Sequence, residues 1–313
     1  MEMHDELTLQ KVNVHSQSYP DITLVTMTTS HNTDLVTGCA VELDENQLQQ
    51  ALRDVNQMAD AARKVIVPYF RSFGELENKL DGSSTNFDPV TRADKEAEQA
   101  IVEVVRQCRP DDGIFGEEYG YHAGSSGLCW VIDPIDGTRG FVCGLPTWGT
   151  LIGLHNGEKS VLGVMDQPIL EERFIGSQIG AQLHTRSGVR ALSVRSTKSL
   201  ADAWACVTTP DIFAGSKAPV LARLNEQVAS IRYGTDCYGY AMLAAGMVDL
   251  VIEPSLQAYD VQALIPIIES AGGIITDWQG GAVTNGGDVV AATTPELHQQ
   301  ALAHVIAETD HRS

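Results

Sequence analysis

The sequence predicts an α/β protein built in two layered halves. Three observations carry that reading. An apolar stripe of helical period begins at Asp44, short apolar runs bounded by turn residues follow between 113 and 165, and strands alternate with helices from about residue 190. A length of 313 residues suits one large or two ordinary domains, and 43% hydrophobic with 20% charged residues is enough to bury a core.

Taken in order, residues 1–43 are polar and Thr-rich without a sustained period, and are expected to form an extension outside the fold. The run Ile22–Thr26 is its one strand-like stretch, an alternative added edge strand. Leu48, Leu52, Val55, Ala59, Ala62 and Ile66 then recur at steps of three and four, one face of a helix. Asp44 with Gln47 three residues on fits a capping box, and Pro68 lies near the helix end. After a Gly- and Ser-rich loop from Gly74 to Pro89, Thr91 and Asp94 form a second capping-box pattern before Ala97, Ile101, Val104, Val105 and Cys108. Strands are predicted at Gly113–Gly116, Cys129–Ile132, Thr150–Leu154 and Val161–Met165. In the second half, Tyr238–Met247 and Val261–Ala271 read as helices, with strands near Leu250–Ile252, Ile274–Thr276 and Val289–Ala292. Gly246, Gly272 and Gly273 stand where helices would end. The expected division is an extension at 1–43, a half at 44–188 and a half at 189–313.

Charge and cysteine usage narrow the function. Lys and Arg number 21 against 41 Asp and Glu, a net charge of −20. So acidic a chain, with no cluster of cations, repels a phosphate backbone and an anionic membrane surface. No apolar run is long enough to span a bilayer, and the start has no cationic stretch followed by an apolar core, so no signal peptide is expected. The six cysteines, at 39, 108, 129, 143, 206 and 237, contain no CxxC pair. They read mostly as small core residues in a reducing compartment, which points to the cytoplasm. Metal cations are the partners such a chain attracts, provided its carboxylates converge.

They do converge in pattern. In Trp130-Val-Ile-Asp-Pro-Ile-Asp-Gly-Thr138 an apolar strand runs into Asp133 and Asp136, with Pro134 fixing the turn between them. Alone, Asp, Pro and Gly together are ordinary turn chemistry. Here a strand delivers both acids to one sheet edge, where α/β proteins place their sites. Gly137 and Thr138 add backbone N–H groups and a hydroxyl suited to an anion. Ile114-Phe-Gly-Glu-Glu118 is a second strand end carrying acids, Asp88-Pro-Val-Thr-Arg-Ala-Asp94 sets an acid and a hydroxyl before a helix, and Glu253 and Asp260 flank a segment entering an apolar helix. Each has a bland reading: solvated surface for the paired glutamates, helix capping for the rest.

The conjunction resembles the inositol monophosphatase-like family of metal-dependent phosphatases. GEE at 116–118, WVIDPIDGT at 130–138, DPVTRAD at 88–94 and the acid at 260 followed by an apolar helix and Gly272-Gly273 carry the likeness, which covers roughly residues 45–310. Within the family the sequence is most similar to histidinol-phosphate phosphatases, through Asp136-Gly-Thr-Arg-Gly-Phe141, Gly144-Leu-Pro-Thr-Trp-Gly-Thr150 and Gly234-Thr-Asp-Cys-Tyr238. Gly140 and Trp148 depart mildly from that pattern, where Ala and Phe are commoner.

The resemblance implies a layered α-β-α-β-α sandwich of the inositol monophosphatase and fructose-bisphosphatase type, a homodimer, and a small phosphorylated metabolite as substrate. It implies Glu117, Asp133, Asp136 and Asp260 as metal ligands, helped by the Ile135 carbonyl. The ligands are all oxygens, which suits two or three Mg²⁺ ions, with Mn²⁺ as a substitute. Asp88 and Thr138 would orient a metal-activated water for in-line attack on phosphorus, so no covalent intermediate is needed. An aspartyl-phosphate mechanism would want DxDx[TV], and Asp133-Pro-Ile-Asp136 has the wrong spacing. Gly137, Thr138, Arg139, Asp236 and Glu253 are the expected substrate contacts, Asp236 and Glu253 as acids facing the amine and imidazole of histidinol phosphate. Their bland readings are a helix cap and a solvated strand end. An inositol, sugar or nucleotide phosphate is the alternative substrate.

Overall fold

A computed structural model describes residues 40–72, 76–78 and 89–309. Helix α1 (Glu45–Ile66) is followed by a short antiparallel pair, β1 (Leu76–Asn78) and β2 (Pro89–Thr91), and by α2 (Arg92–Cys108). Then come β3 (Gly113–Gly116), β4 (Gly120–His122), β5 (Cys129–Asp136), the short α3 (Thr138–Val142), β6 (Gly149–His155), β7 (Ser160–Gln167), β8 (Glu172–Ser177), β9 (Gly180–Thr185) and β10 (Gly188–Ala191). The second half holds β11 (Trp204–Val207), α4 (Ala218–Gln227), β12 (Ser230–Tyr233), α5 (Asp236–Ala244), β13 (Leu250–Leu256), α6 (Ala258–Val261), α7 (Leu264–Ser270), β14 (Ile274–Asp277), β15 (Gly287–Ala292) and α8 (Pro295–Thr309).

The expected box at the start of α1 forms in both directions. The Asp44 carboxylate accepts from the Gln47 N–H at 2.8 Å, and the Gln47 side chain accepts from the Asp44 N–H at 2.9 Å. Its buried residues, Leu48, Ala51, Val55, Met58, Ala59, Ala62 and Ile66, are one face of the helix.

Two sheets organise the rest. The first has eight strands in the order β10-β9-β8-β7-β6-β5-β3-β4, and the second has five in the order β12-β11-β13-β15-β14. The strands change sheet between Ala191 and Trp204. One core lies between the first sheet and α1 with α2, bringing Val55, Ile66 and Ile101 against Trp130, Ile152 and Val164. A second lies around α5 and α7 between the sheets, with Leu151 and Phe174 on one side, Val251 and Val289 on the other, and Leu243 and Ile267 between them. A third lies beneath α4 and α8, where Leu224, Leu297 and Val305 meet Val207, Leu250 and Val290. Helices, sheet, helices, sheet, helices: the layered sandwich is the observed architecture.

Four strands missing from the sequence reading extend the first sheet, β4 at one end and β8 to β10 at the other. The start of β8 hides its period behind charge. Arg173 is buried there by ion pairs to Asp166 and Asp60, each at 2.7 Å, rather than by apolarity. The segment expected to lie outside the fold also needs correcting at its end. Val41 donates to the Asn156 carbonyl at 2.8 Å and accepts from the Asn156 side chain at 3.1 Å, so residues 40–43 belong to the fold. Residues 1–39, with Ile22–Thr26 and Cys39, lie outside the described residues. Of the other cysteines, Cys129, Cys206 and Cys237 are buried free thiols as expected, whereas Cys108 and Cys143 are exposed.

Candidate active site

Asp133 and Asp136 are three residues apart on β5, and an undisturbed strand would aim them at opposite faces. The ladder to β6 resolves this. Asp133 pairs with Leu151 and Asp136 with Gly149, so Pro134 and Ile135 supply one extra residue and bulge the strand. Proline, with no N–H to give the ladder, is at home there. The Pro134 carbonyl accepts from the Thr150 hydroxyl at 2.8 Å. The inserted residue returns Asp136 to the side of Asp133.

Two other elements reach the same point. β3 runs parallel to β5 with Gly116 beside Ile132, and the Glu117 N–H donates to the Ile132 carbonyl at 3.1 Å, so both strands end at one edge. Asp260 arrives on α6 as the third residue of a capping box, accepting from the Gln257 N–H at 2.7 Å. Capping is therefore real, but it uses one carboxylate oxygen only. Asp133, Asp136 and Asp260 each bring an oxygen within 4.8 Å of the others.

The electrostatics of this cluster are unfavourable for bare carboxylates. Burial first, then the charges of Glu117, Asp136 and Asp260, push Asp133 well above the ordinary aspartate range. Asp136 is raised well above it by burial and by Asp260 and Asp236, although the Cys237 N–H donates to it at 2.7 Å. Asp260 is pushed up to about 7 by burial, with Glu117 and Glu253 adding to the effect. Like charges at such range favour protons or cations as fillers. The donors are oxygens throughout, and the residues fit hard divalent ions such as Mg²⁺ or Mn²⁺. The Ile135 carbonyl accepts from the Thr138 hydroxyl at 3.1 Å, which leaves it one lone pair.

Gly137 opens α3 with φ at 85°, and a Cβ there would lie 3.0 Å from the Cβ and Cγ of Asp236. The two loops are thus in contact through a position that only glycine fills well. Asp236 is the first residue of α5, Thr235 occupies the cap, and the Asp236 backbone is left-handed at φ 44°. Asp236 is therefore not the helix cap. Burial raises its carboxyl to about 6 against the opposing pull of Arg139 and a hydrogen bond from Thr208. Arg139 itself is exposed. Glu253 is buried rather than solvated: one oxygen accepts from the Thr208 N–H at 2.6 Å, the other from the Tyr240 hydroxyl at 3.2 Å, and burial pushes it up to about 8. A cavity of about 240 Å³ connects these groups, lined by Asp136, Asp236, Glu253 and Asp260 together with Ile212 and Leu256.

Asp88 lies outside the described residues. Asp94, six residues after Asp88, is expected from the sequence to be the capping partner of Thr91. In the structure it is buried on α2 and its charge helps raise Asp133. Glu98, one turn on, is also buried, pushed up to about 7 by burial, and bonded to the backbone after Glu117. A signal for both was present: acids at 94 and 98 interrupt the core-facing stripe of Ile101 and Val105.

Comparison with known proteins follows this geometry. Residues 47–310 match the inositol monophosphatase family. A chloroplastic bifunctional phosphatase, IMPL2, of Arabidopsis thaliana is 42% identical over 272 residues, covering 83% of this chain and 76% of its own. A histidinol-phosphatase of Mycobacterium tuberculosis is 32% identical over 239 residues, covering 75% of this chain and 91% of its own. Among solved structures, an inositol monophosphatase from Zymomonas mobilis superposes with a TM-score of 0.73 at 36% identity, over 82% of this chain and 98% of its own.

Proposed function

The chain belongs to the inositol monophosphatase family and is a phosphoric monoester hydrolase, and on that premise we propose that it cleaves histidinol phosphate to histidinol and phosphate, a step of histidine biosynthesis, with Mg²⁺ as its cation and Mn²⁺ as a substitute. The observation that supports this substrate is the cavity beside the carboxylates. It combines two acids, the half-buried Asp236 and the buried Glu253, with aliphatic lining that includes Ile212 and Leu256. Histidinol phosphate offers a protonated amine and a flat imidazole to such a surface, whereas inositol phosphate offers hydroxyls alone.

In this reading Glu117, Asp133, Asp136, Asp260 and the Ile135 carbonyl hold two or three divalent cations. Those cations would neutralise the phosphate dianion and lower the pKa of a water. Gly137 and Thr138 present their backbone N–H groups to the phosphate from the start of α3. Thr138, whose hydroxyl donates to the Ile135 carbonyl, orients the water beside the carboxylates. Asp94, whose charge acts on Asp133, is the acid that takes the water's proton. Arg139 balances the charge of Asp236 at the rim.

Phosphate release measured with Mg²⁺ across histidinol, inositol, sugar and nucleotide phosphates tests the assignment. Histidinol phosphate is expected to have the highest kcat/KM. Asp236→Ala should lower that value by roughly tenfold or more, as expected for stripping one partner from a buried charge pair, and should affect p-nitrophenyl phosphate far less. A higher kcat/KM for inositol phosphate would replace the substrate; equal losses on both substrates would assign Asp236 to the metal site.

A further inference from the structure

We propose that Glu98 is a positioning residue for Glu117, its buried carboxylate clamping the turn that carries Glu117 to the other acids. The proposal rests on the reading of Glu117 as a metal ligand. Glu98 lies on α2 and is wholly buried, yet the two hydrogen bonds it accepts inside the protein have nothing to do with its own helix. One oxygen accepts from the Glu118 N–H at 2.8 Å and the other from the Tyr119 N–H at 3.1 Å. The carboxylate enters a notch made by Gly116. A Cβ at that position would lie 2.3 Å from the Glu98 Cδ and closer still to one of its oxygens.

Glu117 is consequently held on both sides. Its own N–H is tied to the Ile132 carbonyl of β5 at 3.1 Å, and the next two N–H groups are tied to Glu98. This matters because Glu117 is exposed and stands one residue beyond the end of β3, where these three hydrogen bonds hold the backbone from which its side chain starts. Burying a lone carboxylate is costly, and an apolar side chain at this point of the α2 stripe would pack without that cost. Orienting a ligand explains its presence. Outer-shell partners of this kind typically change metal affinity by about 10–100-fold when removed.

Mn²⁺ binding, followed by electron paramagnetic resonance of the free ion and independent of turnover, tests this in wild type, Glu117→Gln, Glu98→Ala and the double variant Glu98→Ala with Gly116→Ala. The double variant puts a methyl group into the notch the carboxylate leaves, so it restores packing without restoring the acceptor. Expected is Mn²⁺ affinity at least about tenfold weaker in Glu98→Ala, a metal-free Tm that recovers in the double variant, and affinity that stays weak there. Wild-type affinity in the double variant, with Glu117→Gln weakened, overturns the positioning role while leaving Glu117 a ligand. Wild-type affinity in Glu117→Gln overturns the ligand reading and the proposal with it. Should neither alanine variant fold, Glu98→Gln decides: weakened binding at unchanged Tm supports the clamp, and unchanged binding overturns it.

Discussion

Each sheet carries one proline bulge at the site, and the two differ in how they use it. On β5 the ladder slips by one residue between Asp133 and Asp136; on β13 it slips by one between Glu253 and Leu256, across Pro254 and Ser255. The first bulge turns two carboxylates to the same side and leaves them repelling each other, with neither Pro134 nor Ile135 in the left-handed region. The second carries a single acid, already satisfied by Thr208 and Tyr240, and is made with Ser255 at φ 66°. One bulge thus gathers carboxylates that repel each other, and the other follows an acid whose two oxygens already accept hydrogen bonds. The same backbone device serves both because an inserted residue changes the face a side chain takes without ending the strand.

The largest difference should appear in turnover. Asp136→Asn is expected to lower kcat by about 10²-fold, the loss typical of removing electrostatic support for a developing charge, with the Tm nearly unchanged. EDTA should abolish activity and Mg²⁺ restore it. Glu253→Ala should act on recognition instead, raising KM for histidinol phosphate so that kcat/KM falls roughly tenfold, with activity on p-nitrophenyl phosphate largely kept. Steady-state kinetics on the two substrates read both.

The pH dependence of stability separates the bulges further. Asp133, Asp136 and Asp260 have folded values raised above the 3.8 of an ordinary aspartate, Asp260 to about 7. The folded protein then binds more protons than the unfolded chain between those values. This contribution to metal-free stability is full below about pH 4 and is lost as pH rises through about 7. Mg²⁺ displaces those protons, so the gain in Tm on adding Mg²⁺ should be larger at pH 8 than at pH 5.5. Glu253, raised from 4.5 to about 8 chiefly by burial, loses its contribution over a higher window. With Mg²⁺ saturating, the residual decline should run from about pH 4.5 to about pH 8 and become shallower in Glu253→Gln, with Glu98 and Asp236 supplying the remainder below about pH 7. A Mg²⁺ gain in Tm independent of pH would break the comparison.

The smallest effect concerns backbone. Ser255→Gly relieves a left-handed serine but gives up the bond from Lys217 to its hydroxyl at 3.1 Å, so a net stabilisation of about 0.5 kcal/mol is expected in urea unfolding.

Much of this was legible before the fold. The capping box of α1, the strands from Gly113 to Met165 and the acid motif of β5 are encoded by neighbours a few residues apart. The sequence shows Asp94 as a capping partner, and Asp94 and Glu98 as breaks in an apolar stripe, but it does not show what either acid meets, because those groups lie on other segments. Neither was Asp236 resolved between cap and cavity. Its left-handed backbone comes from its place against Gly137, a contact between segments far apart in the chain.

The sequence by itself determined the periods, the caps and the identity of the acids, since these depend on steric and hydrogen-bonding preferences acting within a few residues. Tertiary structure decided which acids meet. Asp260 joins Asp133 and Asp136 only because α6 leaves the second sheet beside the edge at which β3 and β5 end, and Glu253 reaches their cavity from the last regular rung of β13, opposite Val289. Repulsion between carboxylates depends on distance through space and on the water excluded between them. Neither quantity exists until the two sheets have closed on the helices they share.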